Sequence, residues 1–369
     1  MEQNKTLNHY ISNCFTMHPS RIKIMIQIIL GALKVGSVLQ GKIAQGTSIQ
    51  AKTASITRRI QRFFEKEFLP AEAVSKLIFK LFDWDNEIVF TLDRTNWRFG
   101  KREINFLVIS AIYKHYSIPL CWILLPHKGN SDTNTRIALI EKLLLVIEPL
   151  HRIKILLADR EFDGSDWFKY LDENKIPFCI RLRENRIVID VRKGGTINLK
   201  KLFQHLSFGD YRELEQKVSG IYLRIFGTRT ATGELLILAV SGDANLFDAF
   251  ELYSNRWTIE TMFKCFKSAG FNFEDTHQKD LERLYKLMSL LAIAYAWSVK
   301  IGELKNTIKP IKMKNNTHPE FSWFTYGFRT IQTILLKGVK LQQELLNLLA
   351  DISLNKEVSP CLAKITVVY

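Results

Sequence analysis

The groups best suited to chemistry in this sequence lie between Tyr253 and Lys267. No Gly or Pro occurs there before Gly270, so the stretch is predicted to form one continuous helix. At roughly 100° per residue, its polar positions share an arc of roughly 80°. They are Tyr253, Arg256, Glu260, Lys264 and Lys267. A carboxylate held among cations in this way could bind a metal ion beside a polyanion.

The same pattern has an ordinary alternative, in which the charges are simply solvated. Glu260 is spaced from Arg256 and from Lys264 as in the i,i+4 ion pairs that are common on exposed helices. An adjoining apolar face would anchor the helix on a core. It consists of Leu252, Ile259, Phe263 and Phe266. Two acids elsewhere in the chain favour the first interpretation.

Both of these acids follow runs that are predicted to form β-strands. Asp93 ends the run 88–92, and Asp159 ends the nearly unbroken apolar run 153–158. Strands of an α/β sheet present ligands at their carboxyl ends, so both side chains are predicted to lie at one edge of a sheet.

Each of the two acids also has a purely structural explanation. Asp93 could be a turn residue at a strand end, and Asp159 could be the N-cap of the following helix. However, Asp163 and Asp166 lie closer to the helix start that we predict near Trp167. That helix therefore does not need Asp159 as its cap.

Three carboxylates from two strand ends and one helix could hold a pair of Mg²⁺ or Mn²⁺ ions. Two such ions can activate an attacking oxygen and stabilise a leaving one during in-line displacement at phosphorus. This is nuclease or strand-transfer chemistry. Arg256, Lys264 and Lys267 could then hold phosphates on the same helix face as Glu260.

Composition is compatible with this chemistry. The 369 residues are enough for two or three domains, and a formal net charge of +15 suits a polyanionic partner. The five cysteines are scattered without zinc-ligand or disulfide spacing, which predicts a reducing compartment. The longest apolar run, 287–297, is too short to span a bilayer, so we expect a soluble cytoplasmic protein without a membrane partner.

The N-terminal part is predicted to be helical from about residue 20 to residue 82. Thr47–Gln50 has the pattern of a capping box. In the helix that follows, Ile56, Ile60, Phe63 and Phe64 form an apolar stripe that leaves Arg58, Arg59 and Arg62 outward. A short helix, a turn at Gly46 and this basic helix resemble a helix-turn-helix element, although a charged helix in a small bundle explains the stretch equally well.

The periodicity changes along the chain and predicts an α/β protein with helical ends. Short β runs, glycines and basic residues in the middle predict an inserted β domain. The predicted segments are a helical N-terminal domain (1–85), an α/β core in two parts (86–183 and 246–302), a β-rich insertion (184–245) and a helical C-terminal region (303–369). In the last region Lys305, Lys309, Lys312 and Lys314 are predicted to face phosphate.

The spacing Y-x-x-R-x-x-x-E-x-x-x-x-x-x-K, filled by Tyr253, Arg256, Glu260 and Lys267, resembles the hallmark of the DDE transposases of the insertion-sequence-four group. The run 159–162 (DREF) resembles the second acidic motif of that bacterial group, and the run 92–97 (LDRTNW) resembles its first. The tetrad spacing is highly specific, whereas each Asp motif alone is weak. The resemblance covers about residues 87 to 285 and, more loosely, the helical N-terminus.

The resemblance implies a ribonuclease-H-like core with a β-rich insertion before the catalytic Glu, acting as a homodimer on double-stranded DNA. Asp93, Asp159 and Glu260 would be catalytic and would bind two Mg²⁺ or Mn²⁺ ions. Family members cut transposon ends through a hairpin and join them to target DNA. The DNA-binding residues would be Tyr253, Arg256, Trp257, Lys264 and Lys267, with Arg58, Arg59 and Arg62 in the N-terminal domain.

Trp257 matches an aromatic residue beside the tetrad Arg of the family, although a packing role explains it equally well. Two alternatives to a complete transposase remain open. One is a metal-dependent nuclease that never joins strands, and the other is an inactive or recruited transposase that only binds DNA. A bacterial, nucleoid-associated location in the cytoplasm is expected for the transposase and the DNA-binding protein.

Overall fold

The computed structural model describes residues 6–99, 102–148, 151–190, 194–218, 220–242, 246–314 and 318–353. The chain divides into two compact units. The first unit comprises Met1–Asp83, Asn96–Ile104 and Met262–Tyr369, and the second comprises Trp84–Thr95 and Asn105–Thr261. The first is mainly helical, and the second contains most of a large mixed sheet. The predicted α/β class with helical ends is confirmed.

The helices and strands have the following bounds in chain order. The helices are α1 (Thr6–Cys14), α2 (Pro19–Val35), α3 (Gln40–Gly46), α4 (Thr53–Lys66), α5 (Ala71–Phe79), α6 (Thr133–Leu144), α7 (Ser165–Glu173), α8 (Leu199–Phe203), α9 (Leu246–Ser254), α10 (Trp257–Lys267), α11 (Leu281–Ile308), α12 (Trp323–Leu336) and α13 (Val339–Ser353). The strands are β1 (Glu87–Phe99), β2 (Arg102–Tyr113), β3 (Tyr116–Leu125), β4 (Arg152–Ala158), β5 (Phe178–Arg181), β6 (Ile187–Asp190), β7 (Gly195–Asn198), β8 (Tyr211–Val218), β9 (Ile221–Arg229), β10 (Leu235–Val240), β11 (Met313–Lys314) and β12 (His318–Pro319).

Helix α4 has the predicted apolar stripe. Ile56, Ile60, Phe63 and Phe64 are buried, while the arginines Arg58, Arg59 and Arg62 are exposed. The predicted capping box at Thr47–Gln50 is wrong, because α4 begins later and has no side-chain cap. The polar groups of that segment have other partners. The Thr47 hydroxyl donates to the carbonyl of Ala44 at 2.9 Å, and the Ser48 backbone N–H donates to Gln27 Oε1 at 2.9 Å.

The first unit is built around α11, which packs against α2, α4, α5 and α12. By length and composition α11 could cross a membrane, but 94% of its most apolar window is buried inside the protein. This burial is typical of the central helix of a folded core. Helices α2 and α3 together are also long and apolar enough to cross a membrane, but the chain bends by 94° between them.

Two glycines allow α11 and α12 to approach closely. A Cβ atom at Gly302 would lie 1.9 Å from the Trp323 carbonyl oxygen, and one at Gly327 would lie 1.8 Å from the Ser298 carbonyl oxygen. Both obstacles are backbone atoms, which cannot rotate away as a side chain could. The two helices therefore fit together only because these positions lack side chains.

The large sheet has eight strands in the order β3-β2-β1-β4-β5-β10-β9-β8. Strands β2 and β3 are antiparallel, and β4 is parallel to both of its neighbours, β1 and β5. Being central and parallel, β4 has no solvated edge, which explains its apolar sequence. The prediction that the first strand ends at Asp93 is wrong, because β1 continues to Phe99.

Strands from the predicted insertion join this sheet. Strands β8, β9 and β10 continue it antiparallel from β5, whereas β6 and β7 form a separate two-stranded sheet. At one end of the large sheet, β3 contains Pro119 and packs against α6. At the other end, alternate residues of β8 are exposed: Tyr211, Glu213, Glu215 and Lys217. The predicted domain boundaries stay a prediction.

We expect Gly327→Ala to destabilise the protein by about 1–3 kcal/mol or more, because the new methyl group would overlap the Ser298 carbonyl oxygen. Thermal or urea unfolding measures the change. Gly41→Ala is the matched control, since Gly41 lies on α3 and a Cβ atom added there would have no neighbour within 4 Å. Equal stability of the two variants would contradict the close approach of α11 and α12.

Candidate active site

Asp93 and Asp159 follow directly paired residues of two parallel strands. Leu92 of β1 is opposite Ala158 of β4, and this is the last pair of their register. The next residue on each strand is the acid, and neighbouring strands lie about 4.8 Å apart. The predicted convergence of these two acids at one edge is thus supported by the register.

Each of these carboxylates accepts a hydrogen bond from the next residue. Asp93 Oδ1 accepts from the backbone N–H of Arg94 at 2.7 Å, and Asp159 Oδ1 accepts from that of Arg160 at 2.6 Å. As predicted, Asp159 does not cap the helix near Trp167, but it does cap a short 3₁₀ turn, Arg160–Phe162.

Asp163, which we expected to cap the following helix, has different partners. It pairs with Arg186 and accepts from the Arg183 backbone N–H at 3.0 Å. Helix α7 begins after Gly164 without a side-chain cap, and Asp166 lies in its first turn. The cap of the 3₁₀ turn uses only Oδ1 of Asp159, so Oδ2 is available for other interactions.

The stretch around Glu260 is not one continuous helix, so that prediction is wrong. Helix α9 ends at Ser254 and α10 begins at Trp257. Short-range hydrogen bonds explain the break, since polar side chains there compete with the helical pattern. The Ser254 hydroxyl and the Asn255 amide both donate to the Glu251 carbonyl, at 2.6 and 3.2 Å.

Arg256 lies in this break and connects two of the three acids. Its Nη1 is 3.4 Å from Asp93 Oδ2, and its Nη2 is 2.8 Å from Glu260 Oε1. The Arg256 side chain is 7% exposed, compared with 38% for Glu260. The break therefore places a buried guanidinium between the carboxylate of Asp93 on β1 and that of Glu260 on α10.

The carboxyl group of Asp93 is short of compensating positive charge. Burial raises its pKa to about 7, against the opposing effects of the Arg94 backbone N–H and the Arg256 guanidinium. The charges of Glu161 and Asp159 raise it further. One arginine therefore does not offset the desolvation of this carboxylate.

A second group of residues, which the sequence did not reveal as a site, surrounds the strand ends. Arg94 donates from Nε and Nη2 to the two oxygens of Glu161, at 3.1 and 3.0 Å. Its Nη1 donates to Asn105 Oδ1 at 3.1 Å, and the Asn105 amide donates to the carbonyls of His127 and Gly129. The position of Arg94 and Glu161 beside the two acids in the motifs was the available signal.

The rings of Tyr253 and Trp257 both lie close to the guanidinium of Arg256. The Arg256 Cζ is 5.7 Å from the Tyr253 ring centroid and 5.3 Å from that of Trp257. Tyr253 is 6% exposed within an apolar cluster, and burial raises the pKa of its phenol. Trp257 is 62% exposed. Of the two aromatic residues, Trp257 is the one that presents its ring to solvent.

The remaining predicted DNA-binding residues belong to the first unit. Lys264 is exposed on α10. Lys267 donates from Nζ to the Asn96 carbonyl at 2.9 Å and pairs with Glu274 at 3.2 Å. The three α4 arginines are exposed, as described above. Their contacts with DNA stay a prediction.

The predicted metal site is not assembled as a set of ligands. Within the described ranges, no group of three or more His, Cys, Asp or Glu side chains could hold a metal ion. Arg256 supplies positive charge to Asp93 and Glu260 instead. The donor chemistry nevertheless fits a hard divalent cation, because carboxylate oxygens are its preferred ligands and Asp93 is incompletely compensated.

A family model described as "Transposase DDE domain" matches residues 84–297, which is more than half of the chain. The chain belongs to the DDE transposase family. The matched range includes Asp93, Asp159 and Glu260. The predicted resemblance is therefore confirmed at the level of DDE transposases, and DNA transposition is the process to which this transposase belongs.

A solved structure described as "Cryo-EM structure of piggyBac transposase synaptic complex with hairpin DNA" is similar to the transposase at 12% sequence identity. The TM-score is 0.48, and the similarity covers 94% of this chain and 81% of that chain. No curated protein matches the transposase.

We expect Arg256→Gln to destabilise the transposase by about 3–5 kcal/mol, because it leaves the Asp93 carboxylate buried and unpaired. Adding Asp93→Asn should recover part of this loss, with a coupling of about 1–3 kcal/mol in a double-mutant cycle measured by urea unfolding. Arg152→Gln is the control, since its ion pair with Glu87 is exposed. Additive effects of the two site substitutions would contradict the Arg256–Asp93 contact.

Proposed function

We propose that this DDE transposase belongs to the insertion-sequence-four group and binds the terminal inverted repeats of an insertion sequence. It cleaves the DNA ends by phosphoryl transfer with two Mg²⁺ or Mn²⁺ ions, through a hairpin, and joins them to target DNA. A homodimer on double-stranded DNA is part of this proposal. The observation that carries it is the position of Asp93 and Asp159 directly after the last paired residues of β1 and β4, together with the connection of Asp93 to Glu260 through Arg256.

The sheet supports a ribonuclease-H-like core for this function. Strands β2 and β3 form an antiparallel pair next to β1, and β4 and β5 continue in parallel on its other side. Asp93 lies on β1 and Asp159 directly follows β4, so the first two acids come from neighbouring parallel strands. The third acid comes from a helix after the strands of the predicted insertion.

In the proposed mechanism, Asp93, Asp159 and Glu260 hold the divalent ions. When bound, the ions supply activation of the attacking oxygen and stabilisation of the leaving one. Arg256 holds Asp93 and Glu260 together through its two ion pairs, and its guanidinium would be suited to donate to a DNA phosphate. Trp257, exposed beside Arg256, is placed to contact the same DNA.

Glu260→Gln should abolish DNA cleavage in Mg²⁺ while leaving binding to the element's ends within about twofold, because the amide keeps the shape but lacks the charge of a metal ligand. Incubation with a linear fragment carrying those ends, with and without Mg²⁺, reveals nicked, hairpin and joined products. Glu72→Gln is the matched control, since Glu72 also forms an i,i+4 ion pair, with Lys76, but an exposed one.

The products of this experiment separate the alternatives. Cleavage by Glu260→Gln at the wild-type rate would refute the assignment of the three acids. Cleavage without joined products would indicate a nuclease, and binding without cleavage by the wild-type chain would indicate a protein that only binds DNA.

Metal binding can be tested by melting temperatures, without measuring DNA cleavage. In a chelator at pH 8, Asp93→Asn should raise the melting temperature by about 2–4 °C or more, since it removes a desolvated charge. MgCl₂ or MnCl₂ should then raise the melting temperature of the wild-type chain and have less effect on the variant. An equal response of both proteins to the ions would argue against Asp93 as a ligand.

A further inference from the structure

A basic surface in the first unit has no role in the function proposed above. It lies at the end of α11, on the β11–β12 hairpin and on α12, and we call it the α11–α12 basic surface. Between residues 304 and 330 the sequence has one acid, Glu320, and five Lys or Arg residues. These five are Lys305, Lys309, Lys312, Lys314 and Arg329.

Lys305 is held in place without a carboxylate partner among the described residues. Its Nζ lies 4.5 Å from the centroid of the Tyr326 ring and donates to Thr330 Oγ1 at 3.0 Å. Burial, together with the charge of Lys309, lowers the pKa of this ammonium group. An anion arriving here would therefore meet a cation that is already ordered and poorly compensated.

Arg329 has the same kind of environment. Its guanidinium carbon lies 4.5 Å from the centroid of the Phe321 ring, and within the described part of the chain it forms no ion pair. Lys305, Phe321, Tyr326 and Arg329 line one small cleft of about 150 Å³, with Thr330, Thr333 and Ile334. Two cations thus face a single cleft, each supported by an aromatic ring.

Two other half-buried or buried lysines of this unit form ion pairs with acids. Lys286 pairs with Glu282 at 2.9 Å, and Lys267 pairs with Glu274 at 3.2 Å. Half-buried Lys305 and exposed Arg329 lie against aromatic rings instead. Aromatic faces hold their charges without cancelling them, which leaves the charges available to an external anion.

The close packing of α11 and α12 fixes this geometry. Gly302 is three residues before Lys305, and Gly327 directly follows Tyr326. Because both glycines lie at backbone contacts between the two helices, the relative positions of Lys305 and Tyr326 are set by helix packing. The Tyr326 hydroxyl also donates to the Lys309 carbonyl at 3.0 Å, which ties the next lysine to the same helix.

We propose that the α11–α12 basic surface binds the phosphodiester backbone of double-stranded DNA. The inference rests on the proposed function in that it takes DNA as the partner. The cations extend from the cleft along the chain to the hairpin, which suits a repeating anion. The faces of Phe321 and Tyr326 are already occupied by cations, so they favour phosphate contacts over the stacking of unpaired bases.

The test is the salt dependence of binding to a random-sequence duplex in EDTA, where cleavage cannot contribute. The double variant Lys309→Gln/Arg329→Gln should lower the slope of log K against log salt by about 1.8, the value for two lost phosphate contacts. The control is Lys76→Gln/Lys169→Gln, which removes the same charge from exposed positions on α5 and α7 and should leave the slope unchanged. Melting temperatures identify any variant that is misfolded.

Acetylation of lysines, read by mass spectrometry, gives a second measurement on the wild-type chain. Duplex DNA should protect Lys309 and Lys312, and poly-glutamate at the same charge concentration should not. Equal protection by poly-glutamate would refute DNA as the partner and would favour an acidic protein. An unchanged salt slope in the double variant would refute the proposal that this surface binds DNA.

Failure of this proposal is distinguishable from failure of the proposed function. A double variant that binds with the wild-type slope, made from a chain that cleaves element ends, refutes only the surface. A lowered slope in a chain that does not cleave DNA in Mg²⁺ supports the surface and refutes the catalytic assignment.

Discussion

The candidate active site depends on how the charge of a buried carboxylate is compensated. Asp93 is buried within the central strand β1, and the desolvation cost of its carboxylate is only partly offset by one backbone N–H and one arginine. Arg256 can reach it because the chain breaks between α9 and α10, and the same guanidinium holds Glu260 at 2.8 Å. The two ion pairs of Arg256 keep acids together that would otherwise repel each other.

Much of this arrangement could be predicted from local patterns. The apolar runs before Asp93 and Asp159 correctly indicated strands, and their parallel pairing follows from the helix between them. The spacing of Arg256 and Glu260 correctly indicated a contact between them. The contact was expected between two residues of one helix, whereas Arg256 precedes the first residue of α10. These features depend on periodicity over a few residues, which the sequence displays directly.

Other features depend on side-chain hydrogen bonds and ion pairs that the periodicity of the sequence does not reveal. The helix break at Asn255 arises because short polar side chains bond to nearby carbonyls, and no Gly or Pro marks it. The capping pattern at Thr47–Gln50 failed because Gln27, distant in sequence, takes the Ser48 N–H. The Arg94–Glu161 pair joins two motifs that were considered separately. Each is decided by a partner that lies outside the local pattern.

The exposed side chains of the outermost strand β8 affect the tendency of the protein to aggregate through its sheet edge. A second molecule that tried to extend the sheet at this side would have to bring its own strand against the alternating charged side chains Glu213, Glu215 and Lys217. Such a match requires complementary charges in register, which an arbitrary strand does not provide. The exposed charges of β8 therefore disfavour the addition of a strand from another molecule to this end of the sheet.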